Sequence, residues 1–171
     1  MNRLDRISAG VDRVCLALAK ACLLGIALTI LFQIAGRYGL RSPYAWTEEL
    51  ARYLMVWGGL LGASCAFRRA LDPVIVTVTQ GSPPAVQVLA KVMLAATVVI
   101  FLAPVLYYAF FGAGWNFQRG FMWRNFNRSS AGLGVNLAVI GAAIPVTCLI
   151  LLLHCAARLA SPLPQPTGKT S

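Results

Sequence analysis

Charge is the first thing this chain has little of. Only 12% of its 171 residues are charged, against about 25% in an ordinary soluble domain. Five residues are acidic and one is a histidine, His154, which at the end of the last apolar run reads as a headgroup-level polar residue rather than a ligand. A single imidazole excludes a haem held by two histidines of this chain, and so few carboxylates leave little for acid–base catalysis. No GxSxG, HExxH, P-loop or dinucleotide fingerprint occurs, so the sequence offers no recognised acyl-transfer, metal or phosphate chemistry. Cys15, Cys22, Cys65, Cys148 and Cys155 form no CxxC and lie in or beside apolar runs. They read as small apolar lining, and the chain as a protein without catalytic activity or a cofactor of its own.

What is present is hydrophobic: 58% of the residues, with a mean hydropathy of +0.71. Four apolar runs, 14–36, 50–67, 86–111 and 135–155, approach or exceed the roughly 20 residues that cross a bilayer as a helix. The fold class is therefore an all-α integral membrane protein with four transmembrane helices, the second extended by an interfacial N-terminal section. Residues 1–13, with Arg3, Arg6 and Arg13 against Asp5 and Asp12, read as a basic cytoplasmic lead, 14–158 as the membrane domain, and 159–171 as a disordered tail too rich in proline and polar residues to fold. The first run is too long for a signal peptide's apolar region and lacks an A-x-A-type cleavage site, so it reads as a retained span. In it Lys20 can snorkel toward headgroups, and Ala17, Ala21 and Gly25 form a small-residue seam. Pro104 is expected to kink or break the third span, and Pro145 lies near the middle of the fourth. Tyr107, Tyr108, Trp115 and Trp123 suit an interfacial aromatic belt, beside a polar loop carrying Arg119, Arg124 and Arg128.

The net charge of +10 is scattered between the apolar runs, which argues against nucleic acid and for membrane lipids as the surroundings. Nine of the fifteen Lys and Arg residues fall at the two ends and the loop after residue 67, and six on the other side. The positive-inside rule then places both termini in the cytoplasm of a bacterial inner membrane protein.

The most informative stretch is 43–69, PYAWTEELARYLMVWGGLLGASCAFRR. Ser42 and Pro43 look like a helix start, followed by Glu48 and Glu49 where carboxylates suit a helix N-terminus. Glu48 can meet Arg52, and Glu49 can meet Tyr53, at a spacing of four. Trp46, Leu50, Tyr53 and Trp57 recur as one stripe, and Gly58 and Gly62 make a small-xxx-small pair that admits another backbone. A charged first turn, an aromatic stripe and a glycine seam suit a partner rather than a reaction centre. The competing class is a membrane anchor for a respiratory or other enzyme.

These residues carry a family resemblance. Arg37-Tyr38, Trp46 through Arg52 (WTEELAR), Val56-Trp57, Leu61-Gly62-Ala63 and Arg68-Arg69 resemble, in order and spacing, the small membrane subunit (DctQ-type) of tripartite ATP-independent periplasmic, or TRAP, transporters. One departure is that the histidine common in that family after the arginine is replaced here by Ala70-Leu71-Asp72-Pro73. The resemblance implies a secondary transporter in three parts. A large multi-span membrane subunit carries the substrate and coupling-ion sites, and part of it moves as an elevator. A periplasmic binding protein delivers an organic acid, a sodium gradient supplies the drive, and the small subunit braces the large one as static scaffold. Arg37, Tyr38, Trp46, Glu48, Glu49, Arg52, Trp57, Gly58 and Gly62 are then the expected interface or packing residues, and no substrate or metal site is expected here.

Overall fold

A chain surrounded by hydrocarbon has to pair its backbone polar groups internally, and an α-helix does so segment by segment. The computed structural model describes residues 3–39, 44–69, 83–112 and 114–160. Helix α1 covers Arg3–Tyr38, α2 Ala45–Arg68 and α3 Pro84–Phe110. Two short helices, α4 (Phe121–Phe126) and α5 (Leu137–Gly141), precede α6 (Ala143–Ala160). Four stretches are long and apolar enough to cross a membrane: α1, α2, Ala85–Phe110 and Leu137–Ala160. Among the described residues no β-strand forms, only isolated bridges joining Gly112 to Asn116 and Ser129 to Asn136. The expected all-α, four-span class is what the chain adopts.

Element boundaries follow local chemistry more closely than hydropathy suggested. The basic lead is not separate from the first span: α1 is helical from Arg3 and has 36 residues, about 54 Å at about 1.5 Å each. Helix α2 starts later than Ser42 and Pro43 suggest, because Tyr44 is still extended (φ −96°, ψ 106°). Thr47 closes the first turn instead, its hydroxyl donating to the Tyr44 carbonyl at 2.6 Å. The Tyr44 ring lies 5.7 Å from Phe32 of α1, so the start of α2 is packed against the neighbouring helix. Helix α3 runs unbroken through Pro104, whereas the last span is interrupted between Gly141 and Ala143. A proline lacks the N–H that would bond the carbonyl four residues back, and its ring crowds that carbonyl. For Pro145 that carbonyl belongs to Gly141, where α5 stops. The run 74–79, residues 70–73 and most of the expected tail lie outside the described residues.

Helices α1 and α2 are antiparallel and form the closest pair. Their shared core is Cys15, Ala19, Leu61 and Cys65, with Val11, Leu16, Trp57 and Ile150 packed against it. The small-residue seam of α1 is therefore the Cys15–Ala19 face, continued by half-buried Cys22, and not Ala17 and Ala21, which are exposed. Opposite it, a Cβ on Gly58 would lie only 2.9 Å from the Cys22 Cβ, which is why the approach needs glycine. Gly62 differs: a Cβ there would meet nothing within 4 Å. Helix α6 packs on α2, α1 and α3, while α3 packs on α6 and α4. The result is a three-helix unit with α3 attached to one side, an open wall rather than a closed four-helix ring.

The two glycines give a direct contrast. Gly58→Leu overfills the α1–α2 seam and is expected to lower stability by about 1–3 kcal/mol. Gly62→Leu should leave the thermal melting midpoint of the detergent-solubilised chain near that of the wild type. Equal midpoints for the two variants would contradict this assignment of the seam.

Candidate functional site

At one end of the wall a carboxylate clasps a loop. Glu49 lies in the second turn of α2, where its Oε2 accepts from the backbone N–H of Gly132 at 2.8 Å and of Leu133 at 3.0 Å. Its other oxygen accepts from the Tyr53 hydroxyl one turn along, the partner that the spacing of four indicated. The loop is shaped to reach it. Ser130 N–H donates to the Val135 carbonyl at 2.9 Å and Gly134 N–H back to Ser130 at 3.2 Å, with Gly134 in the left-handed region (φ 66°). Gly132 has to be glycine for a separate reason: a Cβ there would stand 2.5 Å from Glu49 Oε2 and 3.4 Å from the Trp46 Cα. Asn136 then caps α5, its side chain accepting from Ala138 N–H at 2.8 Å. Glu49 thus fixes the start of the last span to the start of the second.

At the opposite end a polar cluster joins α1, α2 and α6. Arg69, just past α2, donates to Asp12 Oδ2 at 3.0 Å. Arg68 donates to the Ser8 hydroxyl at 2.9 Å and to Asp5 at 3.4 Å. Ser8 Oγ lies 2.8 Å from His154 Nδ1 of α6, and the Cys65 thiol donates to the Asp12 carbonyl at 3.6 Å. Ser8, Asp12 and His154 are all buried. Among the described residues, Asp12 Oδ1 and His154 Nε2 are buried without a hydrogen-bond partner. The hydrogen bond to Asp12, and then its charge, push the Arg69 pKa up, so the guanidinium stays cationic. His154 is thus a buried junction between helices and not the headgroup-level side chain that its place near the end of the span suggested. Because it meets Ser8, the start of α1 and the end of α6 lie at the same end of the wall.

The sequence-derived residues divide into three groups. Glu49, Trp57 and Gly58 act inside the chain, in the loop clasp, against the core and at the helix seam. Trp46 packs its ring 5.6 Å from Phe32 at the rim. Arg37, Tyr38, Glu48 and Arg52 are exposed and Gly62 borders open space, and among the described residues no ion pair joins Glu48 to Arg52. Sequence reasoning did not bring together Ser8, Asp12, His154 and Gly132, whose partners lie 53 to 146 residues away for the first three and 83 away for Gly132. No group of three His, Cys, Asp or Glu side chains among the described residues could hold a metal. Arg119, Arg124 and Arg128 are exposed in a loop whose aromatics, such as Tyr107 and Trp115 at 5.4 Å, pack on one another. The chemistry available is hydrogen bonding and ion pairing between helices.

Two variants separate the two ends. Glu49→Ala is expected to speed amide exchange at Gly132 and Leu133 while leaving the α1–α2 core protected; unchanged exchange at those two amides would count against the clasp. Asp12→Asn should lower the melting midpoint by several degrees, and adding Arg69→Gln should cost little more, since partners in one contact are not additive. Additive losses in that double-variant comparison would mean that the pair is not coupled.

With this geometry in view, comparison with known proteins is specific. Residues 26–165 match the family described as "Tripartite ATP-independent periplasmic transporters, DctQ component". The chain is also 30% identical over 66 residues to a Haemophilus influenzae protein named "Putative TRAP transporter small permease protein". That alignment covers 39% of this chain and 41% of the relative, so it spans about two fifths of the relative's length. The family match covers most of the chain, including the two helix starts that Glu49 ties together, and this chain belongs to the DctQ component family of tripartite ATP-independent periplasmic transporters.

Proposed function

We propose that this chain is the small membrane subunit of a TRAP-type secondary transporter and that it braces the large multi-span subunit. The observation that carries the proposal is the open wall of helices, with α3 attached to α6 and its ends tied by polar clamps. A solute path through a membrane needs polar lining. Here the buried carboxylate, hydroxyl and imidazole of the Asp12 cluster are turned into helix–helix contacts. The substrate and ion sites therefore belong to a partner, and this chain contributes area and rigidity.

In this reading the complex sits in the bacterial inner membrane with both ends of this chain in the cytoplasm. A periplasmic binding protein delivers an organic acid to the large subunit, which also holds the sodium ions whose gradient drives uptake. The exposed group Arg37, Tyr38, Glu48 and Arg52, with the open space at Gly62, supplies contacts to the large subunit. A rigid neighbour suits a transporter part of which moves as an elevator, because displacement needs something fixed to move against.

The test is co-expression with a large TRAP-type membrane subunit, followed by affinity purification in mild detergent and an uptake assay in cells. The wild-type chain is expected to retain the large subunit in fixed proportion. Gly62→Leu should lose it, along with uptake, while the purified chain melts normally. Uptake that persists without this chain would overturn the bracing role. A flavin- or iron–sulfur-bearing partner would transfer the chain to the enzyme-anchor class.

A further inference from the structure

Three features of α1 come together near its start. A wholly apolar groove of about 470 Å³ runs between α1 and α6, bordered by Ile7, Gly10, Val14 and Leu18 on one side and Val146 and Ile150 on the other. The Ser8–His154 contact holds α1 and α6 together beside it, while Gly10 contributes no side chain. A Cβ at Gly10 would meet nothing within 4 Å, so the notch is open along the face where successive turns of α1 could have closed it.

The charges of these turns are also sorted by side. At about 100° per residue, Asp5 and Asp12 fall on the side of α1 that meets α2, and there they pair with Arg68 and Arg69. Arg3 and Arg6 fall on the other side, four residues before Ile7 and Gly10, one turn below the groove. Both are exposed, and among the described residues neither joins an ion pair. The acidic groups of this segment are used internally, and the two cations at the groove's mouth are left for an anion.

From this arrangement we infer that the groove is a seat for one anionic phospholipid, its acyl chain along Ile7, Gly10, Val14 and Leu18 and its phosphate group at Arg3 and Arg6. Basic side chains beside a cleft between membrane helices suit an anionic headgroup, while the apolar cleft suits its chain. An apolar protein helix fits the same groove less well, since it would desolvate two arginines without supplying counter-charge. The seat ties lipid to the clamped end of the wall, where α1, α2 and α6 meet. It depends on the membrane location of this chain and not on the transporter reading.

The test places the purified full-length chain in nanodiscs of equal phosphatidylglycerol and phosphatidylcholine and follows retained lipid by native mass spectrometry after gentle release. The wild type is expected to retain one phosphatidylglycerol in several-fold excess over phosphatidylcholine. Gly10→Leu, which fills the groove, should retain neither. The Arg3→Gln/Arg6→Gln double variant changes exposed side chains only, so it should fold and keep a lipid without headgroup preference. Equal retention of the two lipids by the wild type would overturn the seat, as would undiminished phosphatidylglycerol on Gly10→Leu. So would a Gly10→Leu chain that keeps its phosphatidylglycerol but no longer purifies with the large subunit, which would assign the groove to protein.

Discussion

Hydrocarbon offers no hydrogen-bond partners, and that constraint organises this molecule. Helices satisfy the backbone on their own, and a hydroxyl such as that of Thr29 can bond a carbonyl of its own helix, but a carboxylate or an imidazole on a membrane helix has to find a partner on another. The chain places such groups at the two ends of its helices. At one end Asp12, Arg69, Arg68, Ser8 and His154 join α1, α2 and α6. At the other, Glu49 holds the loop that leads into α5. Between them the contact is small and apolar, Cys15 and Ala19 against Leu61 and Cys65, with Gly58 setting how near the two backbones come.

This division of labour connects the fold to the proposed role. Apolar packing alone discriminates weakly between helix registers in lipid, because lipid tails are as apolar as the side chains they replace. Polar contacts limit that freedom at each end: sliding α1 against α2 by one turn would strand Asp12 from Arg69, and sliding α2 against the last span would strand Glu49 from the Gly132 amide. A wall with a fixed register keeps its outer face constant, and that is the property a brace requires. The exposed face of α1 and the attached α3 are then free for lipid and partner.

The sequence revealed different parts of this to different degrees. The four spans were legible because hydropathy reports burial in lipid, which does not depend on which helix lies beside which. Glu49 with Tyr53 was legible because a spacing of four is local geometry, whereas the bond from Glu49 to the Gly132 amide depends on a turn 83 residues away. Asp12 read as half of a mixed-charge lead because its partner, Arg69, is brought close only by the antiparallel return of α2. His154 read as an edge residue for the same reason. The glycine pair was half legible: its spacing marks one helix face, but which of the two meets a neighbour depends on where α1 crosses. A break was expected at Pro104, where α3 runs on; it falls instead a turn before Pro145, at the carbonyl that ring displaces.

A brace of this kind has to be rigid in its clamped α1–α2–α6 unit before any partner binds. Amide hydrogen exchange of the chain in lipid nanodiscs, alone and then bound to the large subunit, tests it most directly. Amides around Asp12, Cys65, Glu49 and His154 are expected to be as protected in the free chain as in the complex, with any gain confined to outward-facing segments. If those amides become protected only in the complex, the clamps follow assembly instead of preceding it, and the chain is shaped by its partner rather than bracing it.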